Sequence, residues 1–218
     1  MIQDIWPKHL DNQYKNLKPG KGDTVFYFQG SSLLARPSGH FNSQNPEENV
    51  LIYPQYDEFV QGIKSSYGDK AVDNFEFIYL LSIDEEHFFL ARKTGSLERG
   101  TFLGEMADSA VHKDMYSFVR GYEFIGVDSF RKAQPREHAY AAITAFHLYG
   151  WYRDNHFCGR CGKPLKHDDK QRMLRCYCCK NMVFPKICPA VIVAVTDKDR
   201  ILLTKYAGRT YRNYALIA

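Results

Sequence analysis

All six cysteines of this 218-residue chain fall between Cys158 and Cys188. Cys158-Gly-Arg-Cys161 and Cys176-Tyr-Cys178-Cys179 supply two C-x2-C pairs, separated by fourteen residues. Each pair presents two thiolates from one tight turn, and Zn²⁺ accepts four sulfurs at about 2.3 Å in a tetrahedron. The spacing predicts a zinc ribbon with Cys158, Cys161, Cys176 and Cys179 as ligands and Zn²⁺ as a structural ion. Iron with four sulfurs has the same ligand geometry and stands as the alternative. A redox dithiol needs only one C-x-x-C, opening a helix in a βαβ setting. A disulfide scaffold would spread its cysteines along the chain.

The other candidates near the knuckles have simpler readings. Cys178 is expected to be a bystander, because pairing Cys176 with Cys179 matches the first knuckle and pairing it with Cys178 does not. Cys188 leads into an apolar run and is expected to be a small buried residue. His156 and His167 flank the first knuckle and are expected to be surface or packing residues. Gly159 and Gly162 permit the turns, and Arg160, Lys163 and Arg175 are expected to soften a centre carrying about −2. A closed four-cysteine site has no position for water or substrate.

Catalysis must therefore come from elsewhere, and the chain shows no dinucleotide Gly-rich fingerprint, P-loop, Gly-x-Ser-x-Gly or His-Glu-x-x-His. Asp84, Glu85 and Glu86 form the one acidic run of note, expected to be a solvated hairpin tip.

The elements that position the cysteines follow from periodicity and punctuation. Thr24 to Phe28 and Ser32 to Arg36 read as a hairpin across Gln29-Gly30-Ser31, and Phe75 to Ile83 with His87 to Arg92 as another. Pro37 to Asn49 reads as a loop, Leu51 to Tyr53 as a short strand and Asp57 to Ser65 as a short helix. Ser109 to Arg120 mixes helical and strand signals. From Arg136 to about Tyr152, Ala139, Ala142, Ile143, Phe146, Tyr149 and Gly150 recur at spacings of three and four. With Pro135 at its start, this is an amphipathic helix feeding the first knuckle. Ala190 to Val195 and Ile201 to Lys205 read as a hairpin across Thr196 to Arg200, and Tyr214 to Ala218 as a further strand.

The composition is that of a water-compatible globular chain: 44% hydrophobic, 25% charged, with mean hydropathy −0.43. No apolar run approaches the roughly 20 residues of a membrane span, and the first residues do not read as a secretion signal. A cytoplasmic location is expected. The net charge of +4 conceals an asymmetry. Residues 1–152 carry 15 Lys and Arg against 20 Asp and Glu, whereas residues 153–186 carry 9 against 3. An acidic body thus bears a basic insert.

Phe157-Cys158-Gly159-Arg160-Cys161-Gly162, the second knuckle, and Phe184-Pro185-Lys186-Ile187-Cys188-Pro189 followed by Ala190 to Val195 resemble the NADH pyrophosphatase branch of the Nudix hydrolases. The helix ending at Trp151 and Tyr152 fits the way that family enters its ribbon. The resemblance covers residues 145–218 and implies an α+β chain: a mainly β N-terminal domain over 1–135, a connecting helix over 136–153, the ribbon over 154–186, and the opening strands of an incomplete Nudix α/β fold over 187–218. It also implies a homodimer that splits NADH or NAD⁺ into NMNH or NMN and AMP, with NAD-capped RNA as a further substrate.

The family's catalytic box, G-x5-E-x7-R-E-U-x-E-E-x-G-U with U bulky and aliphatic, is not found in these residues. Its glutamates hold the Mg²⁺ or Mn²⁺ that screens the diphosphate and activates water. The expectation is therefore a chain truncated before the box, without catalytic residues and inactive by itself. One substrate contact carries over: Phe184, just before the ribbon-exit proline, would stack on adenine. Family members commonly have Tyr there, and many have Glu where Gln171 stands, so the hydroxyl and the charge are missing.

Two readings without catalysis remain beside this one. In the first, Arg160, Lys163, Lys166, Lys170, Arg172 and Arg175 contact nucleic-acid phosphates while Tyr177 or Phe184 stacks on bases. In the second, the ribbon and β domain form a dimerisation module.

Overall fold

The computed structural model describes residues 4–39, 50–94, 118–186, 188–205 and 214–216. Most of the loop expected over Pro37 to Asn49 lies outside these, as do most of the ambiguous stretch from Ser109 and the last two residues of the terminal strand. The chain divides into two compact units, Met1–Pro185 and Lys186–Ala218. Its class is α+β, with strands predominating.

Unit 1 is built on a seven-stranded sheet. Its strands are β1 (Leu10–Asp11), β2 (Thr24–Gln29), β3 (Ser32–Pro37), β4 (Leu51–Ile52), β5 (Phe75–Ile83), β6 (Glu86–Lys93) and β7 (Glu123–Gly126). The order is β1-β5-β6-β2-β3-β4, with β7 also on β3. All pairs are antiparallel except β2 with β6, which run parallel with Phe26 opposite Leu90.

Two helices explain why β2 reads Val-Phe-Tyr-Phe without polar alternation. Helix α1 (Tyr56–Tyr67) covers one face and α2 (Arg136–Asp154) the other. Val25 and Tyr27 join Phe59 and Ile63 of α1, whereas Phe26 and Phe28 join Ala142, Leu148 and Tyr152 of α2. A strand buried on both sides has no face left for polar residues. The same split divides Phe88 and Leu90 from Phe89 and Ala91 on β6.

The buried stripe of α2 differs from the expected one. Ala139, Ala141, Ala142, Ala145, Leu148, Trp151 and Tyr152 are buried, whereas Ile143, Phe146 and Tyr149 lie at the margin. Small alanines let the helix approach the sheet closely, and the rings spread beside them, with Tyr149 stacked on Phe28 at 5.1 Å. On α1, Glu58 accepts a hydrogen bond from the Gln55 N–H at 3.0 Å and so steadies the first turn.

The expected hairpin tip is a turn with Asp84 and Glu85 exposed, and two of its three carboxylates also have partners. Asp84 accepts from the His9 N–H at 2.9 Å and pairs with Lys8 at 3.1 Å. Glu86 is half-buried and reaches His138 of α2 at 2.8 Å and the Thr24 hydroxyl at 3.1 Å. These contacts come from residues far away along the chain, which a reading of the tip alone cannot supply.

From α2 the chain enters a three-stranded antiparallel ribbon: β8 (Lys166–His167), β9 (Leu174–Arg175) and β10 (Met182–Val183). Unit 2 holds two short ladders, β11 (Thr196–Asp197) with β12 (Arg200–Ile201), and β13 (Thr204–Lys205) with β14 (Tyr214–Ala215). The turn expected after Val195 is there, with short arms. Val191, Ile192, Ile201 and Leu202 are at least half exposed.

Candidate metal centre

The two knuckles have the same backbone. The Cys158 N–H bonds to the Lys163 carbonyl and the Gly162 N–H to the Cys158 carbonyl; likewise Cys176 bonds to Asn181 and Lys180 to Cys176. The ribbon strands bring the two turns face to face, joined through the pairings Lys166 with Arg175 and Arg175 with Met182.

The result is a cluster in which the sulfurs of Cys158, Cys161, Cys176 and Cys179 all lie within 4.8 Å of one another. Cys158 to Cys179 is 3.6 Å and Cys161 to Cys176 is 3.4 Å. A tetrahedron with metal–sulfur bonds of about 2.3 Å has sulfur–sulfur edges of about 3.8 Å, so these four thiols fit one Zn²⁺. The fit extends to the surrounding donors: the Arg160 N–H reaches the Cys158 sulfur at 3.4 Å and the Asn181 amide reaches it at 3.6 Å.

The thiols divide electrostatically. Burial pushes the Cys158 thiol up, but the N–H groups of Arg160 and Cys161 and the neighbouring sulfurs outweigh it and bring the value down to about 6. The Cys179 N–H is the largest influence on Cys176 and lowers it. The Lys163 N–H lowers Cys161, yet the adjoining sulfurs and burial push it up to about 12. Four thiols this close cannot all ionise without a cation, and two of them are poised to do so first.

Cys178 is exposed and stands apart from the four-sulfur cluster. Cys188 is exposed too, contrary to its expected burial, and it lies in unit 2. His167 packs between Tyr14 at 5.3 Å and Tyr152 at 5.7 Å, and burial lowers its pKa. Burial also lowers that of the half-buried His156. Neither histidine belongs to the cluster.

Two basic residues are engaged elsewhere. Arg175 pairs with Asp168 at 3.0 Å instead of easing the thiolate charge, and half-buried Arg172 donates to the Leu80 carbonyl of β5. Arg160, Lys163, Lys166 and Lys170 are exposed. Asp168 is a structural support of the ribbon turn that the cysteine pattern does not announce. It is buried, and its carboxylate also accepts from the N–H groups of Lys170 at 2.9 Å and Gln171 at 3.2 Å. The sequence signal was the Asp168-Asp169-Lys170-Gln171 turn chemistry. Phe184, the expected adenine platform, is 49% exposed just beyond β10.

Comparison with known proteins gives a match of limited reach. The chain is 38% identical over 55 residues to the NAD-capped RNA hydrolase NudC of Pseudomonas aeruginosa (strain LESB58), which is 25% of this chain and 20% of that protein. It is 36% identical over 59 residues to the NudC of Salmonella typhi, 27% of this chain and 23% of that protein. The NudC of Pseudomonas putida (strain W619) is 40% identical over 55 residues, again 25% and 20%. Over that stretch the chain is similar to NAD-capped RNA hydrolases. The match spans about a fifth of each relative's length. No family model matches the chain. Among the described residues no helix is long and apolar enough to cross a membrane.

Proposed function

We propose that these residues form the N-terminal domain, zinc ribbon and first Nudix strands of a hydrolase that cleaves the diphosphate of NADH or NAD⁺, and of NAD-capped RNA, to release AMP or its RNA-linked equivalent. The observation that carries the reading is the 36 to 40% identity to NAD-capped RNA hydrolases, in a chain that also holds the four-sulfur cluster. Zinc bound by Cys158, Cys161, Cys176 and Cys179 would contribute folding energy and would activate no water, because four thiolates close its coordination.

In the same proposal, Mg²⁺ or Mn²⁺ serves the glutamates of a Nudix box outside these 218 residues, the enzyme is a cytoplasmic homodimer, and Phe184 offers its exposed face to adenine. A flat ring accepts a purine without demanding hydrogen bonds. The test is AMP release from NADH with Mn²⁺, measured on the 218-residue chain and on the product of the complete reading frame. Release by the complete product alone is expected. No release by either overturns the reading.

The second reading, a nucleic-acid-binding ribbon, draws on four exposed cations, Arg160, Lys163, Lys166 and Lys170, with Tyr177 55% and Phe184 49% exposed nearby in sequence. Phosphate contacts release counterions, so binding to uncapped RNA would weaken steeply with salt. Binding without salt dependence sets this reading aside.

A further inference from the structure

The ribbon is fastened to the body of unit 1 through one of its faces. His167, Leu174 and Val183 stand opposite one another in register and so share that face. Leu174 is buried in the same core cluster as Tyr152 of α2, and Leu165 and Val183 pack against that cluster. Arg172, on the connection between β8 and β9, donates to the carbonyl of Leu80, where the register of β5 on β6 shifts. Of the three residues on the docking face, His167 alone can change its charge near neutral pH.

The surroundings of His167 already hold two cations. Its ring meets Tyr14, from the chain after β1, at 5.3 Å and Tyr152 at 5.7 Å. Each tyrosine carries an arginine over its own ring, Arg172 over Tyr14 at 5.9 Å and Arg92 of β6 over Tyr152 at 4.9 Å. A protonated imidazole would be the third cation of this group. The carboxylates that face it are engaged: Glu76 of β5 holds Arg92 at 2.7 Å, and Asp168 holds Arg175 at 3.0 Å. Tyr14 and Tyr152 lend no negative charge, since burial pushes both phenols up. Lys166 and Asp169, near it in sequence, are exposed and of opposite sign. Burial is the largest influence on the imidazole and lowers its pKa; Arg92 adds to this, and Glu76 and Asp168 oppose it without prevailing.

The Nε2 atom decides how a proton arrives. It is buried from solvent and has no hydrogen-bond partner among the described residues. A proton cannot reach it while the joint is closed, and a charge placed there would find no acceptor. Protonation therefore requires the joint to open, which returns His167 to an ordinary pKa of about 6.5. A lowered pKa in the closed form means that closure is fully favoured above that ordinary value and loses ground as pH falls below it.

We propose that the joint between ribbon and body is an acid-released latch: neutral His167, packed on Tyr14 and Tyr152, keeps it closed, and protonation of His167 keeps it open. The latch invokes no metal chemistry and no hydrolysis, so it stands or falls separately from the hydrolase reading.

The experiment is native-state trypsin cleavage after Arg172 in the 218-residue chain, at pH 7.5 and 5.5, with bound zinc measured at both. Cleavage of a closed site tracks the population of the open form. His167→Phe keeps a ring against the tyrosines and cannot titrate. The ratio of wild-type to variant cleavage cancels the acid response of trypsin, of His156 and of the cysteines, which is common to both chains. That ratio should rise about three- to tenfold on acidification, tenfold being the ceiling for one group with an ordinary pKa of about 6.5. His167→Leu should give the same ratio. NMR of the wild-type imidazole needs no variant and should place its titration below that ordinary value. A ratio that stays constant with pH, or a His167 ring that titrates at about 6.5, would overturn the proposal.

Discussion

Lys180 holds in the second knuckle the place that Gly162 holds in the first. Each follows its second ligand cysteine by one residue and donates its N–H to the carbonyl of the first. Each has a positive φ, +61° at Lys180 and +69° at Gly162. The left-handed region costs a residue with a Cβ about 1 to 2 kcal/mol and costs glycine almost nothing. Lys180→Gly should therefore raise ribbon stability by about 0.5 to 1 kcal/mol, and Gly162→Ala should lower it by about 1 kcal/mol. Thermal melts of the zinc-loaded chains read both signs, and a destabilised Lys180→Gly refutes the equivalence.

Metal content tests the ligand set. Cys158→Ser and Cys176→Ser should each lose most of the bound zinc, whereas Cys178→Ser and Cys188→Ser should keep one equivalent, because their sulfurs lie outside the four-sulfur cluster. Inductively coupled plasma mass spectrometry of the purified variants gives the stoichiometry. Zinc removal by a chelator should loosen residues 153–186, read as faster amide exchange there, since small ribbons take folding energy from the metal.

Gly62 reverses a familiar expectation. Exchanging a helical glycine for alanine ordinarily stabilises by about 1 kcal/mol. At Gly62 an added Cβ would stand 2.7 Å from the Phe118 carbonyl oxygen and 3.1 Å from a Val119 methyl. Gly62→Ala should therefore destabilise, by about 1 to 3 kcal/mol of strain. Urea denaturation of the two chains decides it, and a gain in stability would mean that the Phe118 segment moves aside freely.

Glu86 ties β6 to α2, and the tie should depend on pH. Burial acts to raise its pKa, but the hydrogen bond and charge of His138 and the Thr24 hydroxyl outweigh it, leaving the carboxyl below its ordinary 4.5. A lowered folded pKa means stability present above the unfolded value and lost as pH falls through the folded one. Glu86→Gln should cost about 1 kcal/mol at pH 7, a modest figure because the pair is partly solvated. The deficit should shrink as acidity protonates the wild-type carboxyl. A deficit unchanged by acidification would assign the loss to packing.

How much was legible in the sequence depended on the range of the interaction. The knuckles were visible because a C-x2-C turn is local: its ligands, its hydrogen bonds and its left-handed residue all fall within six positions. Periodicity likewise located β2, β3, β5, β6, α1 and α2 to within a few residues, since each has several consecutive residues facing a core. The two-residue strands β1 and β10, and the four-residue β7, escaped it. Runs that short carry no period, and their pairing partners define them.

The sequence by itself determined the cysteine set, the basic insert, the long helix feeding it and the strands on either side. Only the tertiary structure decided which faces of α2 are buried, that Arg172 and Arg175 are engaged by the Leu80 carbonyl and Asp168, and that Cys188 is exposed. Spacing encodes contacts between neighbours along the chain; these contacts join residues up to about a hundred positions apart, and packing of the whole sheet selects them.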